Sequence, residues 1–168
     1  MIRKATVNDA RAIAEVHVKS WQAAYRGLLP EGFLRSLSVE RREEQWRRPL
    51  QNPEQVILVY ELENQVVAFC SFAPSRDDDV DKTTTAELGT IYALETAWGQ
   101  GVGRALWQEA IKLMREKRFT EVTLWVLKGN ERAIKFYERQ RMMFDGTTKI
   151  ERMNERLELH ELRYQMKA

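Results

Sequence analysis

The chain has 168 residues, enough for one domain with a hydrophobic core, and we predict a single domain over residues 1–168. Its 27 basic and 25 acidic residues are interleaved and leave a net charge of +2, which argues against a nucleic acid as the main partner. No apolar run approaches the roughly 20 residues of a membrane span, and residues 1–9 contain no apolar signal segment. With Cys70 as the single cysteine, we expect a cytoplasmic protein without a membrane partner.

After a short strand pattern at the start, apolar residues in the first half of the chain follow helical spacing. They then change to the alternation and β-branched residues that are typical of strands. Glu63 and Asn64 form a turn-like pair between two such strands. The elements predicted here are a strand at 2–5, helices at 7–26, 31–37 and 38–50, and strands at 56–60 and 66–72.

The second half begins with a polar loop whose acidic run, residues 77–81, we expect to be solvated. Strand and helix patterns then alternate. The predicted elements are strands at 85–94, 122–127, 143–149 and 157–166, and helices at 102–118 and 131–140. This order predicts a mixed α/β (α+β) sheet with helices on both faces.

The segment Trp98–Ala105 reads Trp-Gly-Gln-Gly-Val-Gly-Arg-Ala and lies between a predicted strand and a predicted helix. Glycines let backbone N–H groups approach an anion closely, and a helix N-terminus adds unpaired donors, so the turn predicts a phosphate site. A nucleotide P-loop would need lysine and serine or threonine where Arg104 and Ala105 stand. A dinucleotide fingerprint would need a further glycine where Leu106 or Arg104 stands.

Three stretches together resemble the GNAT superfamily of acyl-CoA-dependent N-acyltransferases. They are Glu87–Leu94, Trp98–Leu106, and Leu124-Trp125-Val126-Leu127 followed by Asn130-x-x-Ala133-x-x-Phe136-Tyr137-Glu138. The resemblance implies a mostly antiparallel central sheet with a splayed strand pair. It also implies acetyl transfer from acetyl-CoA to a primary amine, by direct attack in a ternary complex and without a metal. A non-catalytic acyl-CoA-binding module is the alternative.

The same resemblance implies a binding site for acetyl-CoA. Backbone N–H groups of the glycine turn would bind the pyrophosphate, and the pantetheine arm would pair with the main chain near Ile91. Asn130 would hold the pantetheine and cap its helix. The expected cofactor-binding residues are Ile91, Tyr92, Ala93, Gln100, Gly101, Val102, Gly103, Arg104, Ala105, Asn130, Ala133 and Phe136.

Two residues are candidates for the proton transfers. Tyr137 would donate a proton to the departing thiolate, since a phenol with a pKa of about 10 suits a thiolate with a pKa of about 8–9. Glu87 would take a proton from the attacking amine; the alternative is that Glu87 is an ordinary solvent-facing carboxylate and water is the base. Strand alternation predicts Glu87 on the same side of its strand as Gly89, Ile91 and Ala93.

The first helices of the family wall the acceptor site, which here suggests Trp21 and Tyr25 as acceptor-binding residues. Anchoring of the core is an equal alternative for Trp21. Aromatic walls with a few carboxylates would suit a small-molecule amine or a polyamine, and a peptide amine is a further option. A homodimer is a further expectation from the resemblance.

Two positions depart from the family pattern. Trp98 stands where the family often has arginine or glutamine, so one phosphate contact is absent. Arg141 stands where a glycine commonly ends the helix that carries the tyrosine. The sequence predicts either a positive φ at Arg141, at a cost of about 1–2 kcal/mol, or a remodelled turn.

Overall fold

The computed structural model describes all residues 1–168 and contains one sheet of seven strands. The strands are β1 (Ile2–Lys4), β2 (Val56–Leu62), β3 (Gln65–Pro74), β4 (Thr85–Ala93), β5 (Glu121–Leu127), β6 (Met143–Asn154) and β7 (Leu157–Lys167). Their order in the sheet is β1-β2-β3-β4-β5-β7-β6. Only β4 and β5 are parallel neighbours, and every other pair is antiparallel. The predicted fold class is confirmed.

Five helices cover the sheet. They are α1 (Ala10–Ala24), α2 (Glu31–Arg35), α3 (Val39–Arg47), α4 (Val102–Glu116) and α5 (Glu131–Arg139), with 3-10 turns at Val7–Asp9, Pro49–Gln51 and Glu95–Ala97. The predicted order of elements is confirmed, although β6 extends five residues beyond its predicted end. None of the helices is both long and apolar enough to cross a membrane.

The two faces of the sheet pack on different helices. On one face, Leu106 and Ile134 from α4 and α5 pack in the largest apolar cluster, which also contains Cys70 of β3. On the other face, Ile13 of α1 and Trp46 of α3 belong to a second cluster. We call these the α4 face and the α1 face. Cys70 is fully buried, as expected for a core residue.

The strands β4 and β5 separate soon after they meet. Their pairing covers only Thr85–Glu87 against Glu121–Thr123. From Leu88 onward, the β4 edge that faces β5 has no partner strand. The expected splayed strand pair is therefore present, and it leaves a gap through the centre of the sheet.

A β-bulge at Gly89 reverses the alternation of β4. Leu88 pairs with Phe72, but Thr90 pairs with Ser71, so Gly89 is an extra residue opposite the β3 backbone. As a result Glu87 points to the α1 face, whereas Ile91 points to the α4 face. The prediction that they share a side was wrong, because alternation holds only in a strand without a bulge.

The acidic loop is bound to the sheet instead of being fully solvated. The guanidinium of Arg163 in β7 is almost fully buried and contacts Asp79 at 2.6 Å and Asp77 at 3.2 Å. Its Nε donates to Asp145 of β6 at 2.6 Å. Three carboxylates therefore share one buried arginine, and together they tie the loop after β3 to β6 and β7.

The helix α5 ends in the strained turn that the sequence predicts. Arg141 has φ of +68°. The N–H of Met142 donates to the carbonyl oxygen of Tyr137 at 3.1 Å, the hydrogen bond of a Schellman motif. Of the two alternatives that the sequence left open, the positive φ at Arg141 is the one observed.

Candidate functional site

A cavity of about 980 Å³ lies where β4 and β5 separate. Its lining comes from both faces of the sheet and includes all of the predicted site residues except Gln100 and Ala105. These are Trp21, Tyr25, Glu87, Ile91, Tyr92, Ala93, Gly101, Val102, Gly103, Arg104, Asn130, Ala133, Phe136 and Tyr137.

The glycine turn presents a row of unused donors to this cavity. The backbone N–H groups of residues 100–104 make no hydrogen bond within the protein. Gly101 caps α4 with φ of +79°, and a Cβ built there would point into open space. Ala105 does not extend the row as expected, because its N–H donates to the carbonyl oxygen of Gly101 at 2.9 Å. The free donors therefore end at Arg104, because the N–H of Ala105 donates the first helical hydrogen bond.

An arginine from α5 lies beside the glycine turn. The guanidinium carbon of Arg132 is 3.3 Å from the centre of the Trp98 ring, and both residues line the cavity. The indole N–H of Trp98 donates to the carbonyl oxygen of Ala93 at 2.9 Å, which fixes the ring under the arginine. Burial lowers the pKa of Arg132, although a guanidinium stays charged at neutral pH. The cation of Arg132 thus lies beside Trp98, the position where the sequence indicated that a phosphate contact is absent.

Asn130 and Tyr137 lie on one face of α5. The side chain of Asn130 accepts a hydrogen bond from the N–H of Ala133 at 3.3 Å and caps the helix, as predicted. Tyr137 is 9% exposed and packs against the rings of Trp107 and Phe136. Burial raises the pKa of the Tyr137 phenol well above its usual range, so it is protonated at neutral pH.

Glu87 is buried on the α1 face and both of its carboxylate oxygens have partners. Oε1 accepts from Nη2 of Arg76 at 3.0 Å, and Oε2 accepts from the backbone N–H of the same residue at 3.1 Å. The Arg76 side chain itself is exposed. Glu87 is therefore an ion-paired carboxylate at the cavity wall, and not the solvent-facing residue of the alternative interpretation.

Aromatic side chains form the α1 side of the cavity. The ring of Trp21 meets that of Tyr25 edge-on at 4.9 Å and that of Tyr92 at 6.4 Å. Trp21 also packs in an apolar cluster with Leu29 and Leu159, so it is both a core anchor and a cavity wall. Burial raises the pKa of the Tyr25 phenol well above its usual value.

His17 lies next to this aromatic wall. Its Nδ1 accepts a hydrogen bond from the indole N–H of Trp46 at 3.0 Å. Burial, with a smaller effect from Arg42, lowers the pKa of His17 to about 3. His17 therefore lines the cavity with an uncharged imidazole at neutral pH.

Sequence reasoning missed a group of charged residues on the far side of the cavity. Lys149, Glu151 and Glu161 come from β6 and β7 and line the cavity together with Trp125. Lys149 and Glu161 pair across the two strands. No local signal marks them, because only the pairing of β7 with the more distant strand β5 brings them beside Trp125.

The motifs from Glu87 to Glu138 lie inside the region that matches a known protein family. The sequence model of the Acetyltransferase (GNAT) family matches residues 17–141, which is more than half of the chain. The chain belongs to the GNAT acetyltransferase family. The family resemblance and the acyltransferase class expected from the sequence are confirmed.

Known relatives of this GNAT protein include an uncharacterized N-acetyltransferase, YuaI, of Bacillus subtilis, 33% identical over 82% of this chain and 76% of the relative. A spermidine N(1)-acetyltransferase of Thermoplasma acidophilum is 26% identical over 87% of this chain and 89% of its own length. Among solved structures, the PaiA N-acetyltransferase of Thermoplasma acidophilum in complex with coenzyme A superposes with a TM-score of 0.77. That match has 21% identity and covers 100% of this chain and 98% of the other.

Proposed function

We propose that this GNAT protein transfers an acetyl group from acetyl-CoA to a primary amine by direct attack in a ternary complex. The acceptor is a small-molecule amine or a polyamine, with a peptide amine as the other class. One observation carries the proposal: a single cavity joins the unused donors of the glycine turn to Tyr137 and Glu87 through the gap between β4 and β5.

The glycine turn suits the pyrophosphate of acetyl-CoA. The unused N–H groups of residues 100–104 lie at the N-terminus of α4, which carries a partial positive charge. A bound anion accepts hydrogen bonds from these groups and is attracted by that charge. Arg104 and Arg132 line the same part of the cavity and add charge. The residues present therefore fit the group, and in this proposal Arg132 supplies the phosphate contact that the Trp98 side chain cannot make.

The gap between the strands suits the pantetheine arm. The β4 edge beyond Leu88 has no partner strand, so its backbone groups are available to the amides of an extended chain. Asn130, Ala133 and Phe136 of α5 form the opposite wall. An arm in this gap ends beside Tyr137, and the acceptor approaches from the α1 face.

The chemistry requires proton transfers at both the acceptor and the thiolate. The acceptor ammonium loses one proton to become a nucleophile. Its nitrogen then forms a bond to the thioester carbonyl carbon and loses a second proton to solvent, while the carbon–sulfur bond breaks and the thiolate takes up a proton. In this proposal Tyr137 gives its phenolic proton to the departing thiolate. Glu87 accepts the amine proton through a water molecule, since both carboxylate oxygens are already bonded to Arg76.

The acceptor class is supported by the wall of the cavity and by one relative. Trp21 and Tyr25 supply aromatic faces, and glutamates from three strands supply negative charge. Such a surface favours an amine that carries its charge into the site. The Thermoplasma acidophilum relative is named as a spermidine acetyltransferase, which supports polyamines as the first acceptors to test.

A thiol-release assay with acetyl-CoA and a panel of amines tests the function. We expect release that depends on the amine and saturates with it. Calorimetric titration with CoA runs beside it. If CoA binds and no amine causes release, the protein is an acyl-CoA-binding module instead.

A further inference from the structure

The acceptor end of the cavity contains an ammonium group that belongs to the protein. Nζ of Lys149 lies 4.3 Å from the centre of the Trp125 ring and 3.5 Å from Oε2 of Glu161. A cation above an aromatic face and beside a carboxylate is held by both. We call Trp125, Glu151 and Glu161 the ammonium cage.

The contact between Lys149 and the cage is incomplete. Oε2 of Glu161 is buried and accepts no hydrogen bond, although Nζ is near enough for charge attraction. Burial, together with the neighbouring Glu151, raises the pKa of Glu161, as expected for a carboxylate that lacks donors. The indole N–H of Trp21, which also lines the cavity, is likewise buried without a partner. The cavity therefore has unmet polar groups that a ligand can satisfy.

The Trp125 ring of the cage is fixed, and the other cationic neighbours of the cage are already paired. The indole N–H of Trp125 donates to Asp77 at 3.2 Å, which fixes the ring. Arg163 is held by three aspartates, and Arg76 by Glu87. Lys149 is half-buried and is the cation of the cage that a ligand can displace.

We propose that the ammonium cage binds a second, non-reacting ammonium group of the acceptor, which displaces Nζ of Lys149. The acceptor is then a diamine or polyamine, and Glu161 selects it over a monoamine. This inference rests on the proposed acetyl transfer. A cationic group fits because the unmet group is a carboxylate and the ring face attracts positive charge.

The pairing of the strands sets the distance between the two nitrogen atoms of the acceptor. Glu87 aligns with Thr123 on β5, whereas Glu161 aligns with Leu127, four residues further along that strand. Four residues of strand span roughly 13 Å between backbones, and the water molecule between Glu87 and the reacting nitrogen takes up part of that distance. The acceptor therefore carries its second charge several carbon atoms from the reacting nitrogen.

The test compares 1,5-diaminopentane with pentylamine, which has the same carbon chain and one charge. We expect kcat/KM of the wild type to favour the diamine by about tenfold, which corresponds to roughly 1.4 kcal/mol. Glu161→Gln is expected to remove this preference, because it lowers kcat/KM for the diamine far more than for pentylamine. Lys149→Met is expected to raise kcat/KM for the diamine, because the competing ammonium is gone. If Glu161→Gln fails to fold, Glu151→Gln takes its place and is likewise expected to reduce the preference for the diamine.

Glu158→Gln is the matched control, since Glu158 lies on the same strand, is exposed and does not line the cavity. Equal use of the two amines by the wild type overturns the inference. So does an equal loss for both amines in Glu161→Gln, or a loss for the diamine in Lys149→Met.

If no amine gives thiol release, the proposed function fails and calorimetric titration of 1,5-diaminopentane decides the inference separately. Binding that Glu161→Gln weakens supports the cage, and absence of binding overturns it.

Discussion

The guanidinium of Arg132 stacks on the indole of Trp98, with its carbon 3.3 Å from the ring centre. Arg132 belongs to α5 and Trp98 to the glycine turn, so the contact joins α5 to that turn. The stacking holds a positive charge at the mouth of the cavity without an acidic partner at salt-bridge distance. Trp98 therefore orients the arginine that we propose as a phosphate contact.

We predict that Arg132→Met weakens acetyl-CoA binding by about tenfold, because one charged contact to phosphate is worth roughly 1.5 kcal/mol or more. Calorimetric titration with CoA measures this. Arg115→Met, an exposed position on α4 outside the cavity, is the control and leaves affinity unchanged. Equal affinities of wild type and Arg132→Met would refute the role of Arg132.

Gly101 and Gly27 allow a matched comparison at the pyrophosphate turn. They have φ of +79° and +81°, and neither has an atom within 4 Å of a built Cβ, but only Gly101 lines the cavity. Alanine at either position is expected to cost about 1 kcal/mol of unfolding free energy. Only Gly101→Ala is expected to weaken CoA binding as well. Similar CoA affinities for the two variants would show that the turn does not bind the ligand.

Tyr137→Phe removes the proposed proton donor and keeps the ring that packs on Trp107 and Phe136. We expect kcat to fall about 100-fold, within the usual range for loss of a general acid. The KM of acetyl-CoA stays near the wild-type value, since the phenol acts on the thiolate as it leaves. Steady-state kinetics at saturating amine check this, and an unchanged kcat would exclude the role.

Arg141→Gly is expected to stabilise the protein. The positive φ of +68° costs an arginine about 1–2 kcal/mol, and glycine adopts it freely. Part of that gain is lost to the greater freedom of glycine in the unfolded chain, so we expect about 1 kcal/mol in urea denaturation. Arg115→Gly, inside α4, is expected to destabilise the protein by a similar amount. A lower midpoint for Arg141→Gly would contradict the strain.

His17 makes the stability of the protein depend on pH. Its pKa is about 3 in the folded protein, and an unfolded histidine titrates near 6.5. Between these values the unfolded chain binds more protons, so the unfolding free energy falls as the pH drops below 6.5, by up to about 1.4 kcal/mol per unit. Urea denaturation at several pH values from 7 to 4.5 measures the slope. His17→Gln is expected to reduce the slope, and an unchanged slope would contradict this assignment.

The elements of the fold were predictable because each has a local signal. The turn pair Glu63-Asn64, with positive φ at both residues, joins β2 and β3 as expected, and the cap at Asn130 begins α5 as expected. The glycine turn and the motif from Asn130 to Tyr137 likewise specified most of the residues that line the cavity.

The errors in prediction came from long-range pairing. The bulge at Gly89 depends on the register of β3 against β4, so simple alternation placed Glu87 on the wrong face. The acidic loop was expected to be solvated. The arginine that binds it, Arg163, lies 84 residues after Asp79, so no local pattern indicated this contact. Glu161 gave no signal for the same reason, since its place in the cavity follows from the pairing of β5, β6 and β7.

The central claim is acetyl transfer to an amine in this cavity, and the most direct measurement is the stoichiometry of one reaction. Free thiol and N-acetylated amine are measured together after incubation with acetyl-CoA and spermidine or another primary amine. We predict equal molar amounts of the two products and no thiol release without the amine. Release that does not require the amine, or bound CoA with no release for any amine, would contradict the account.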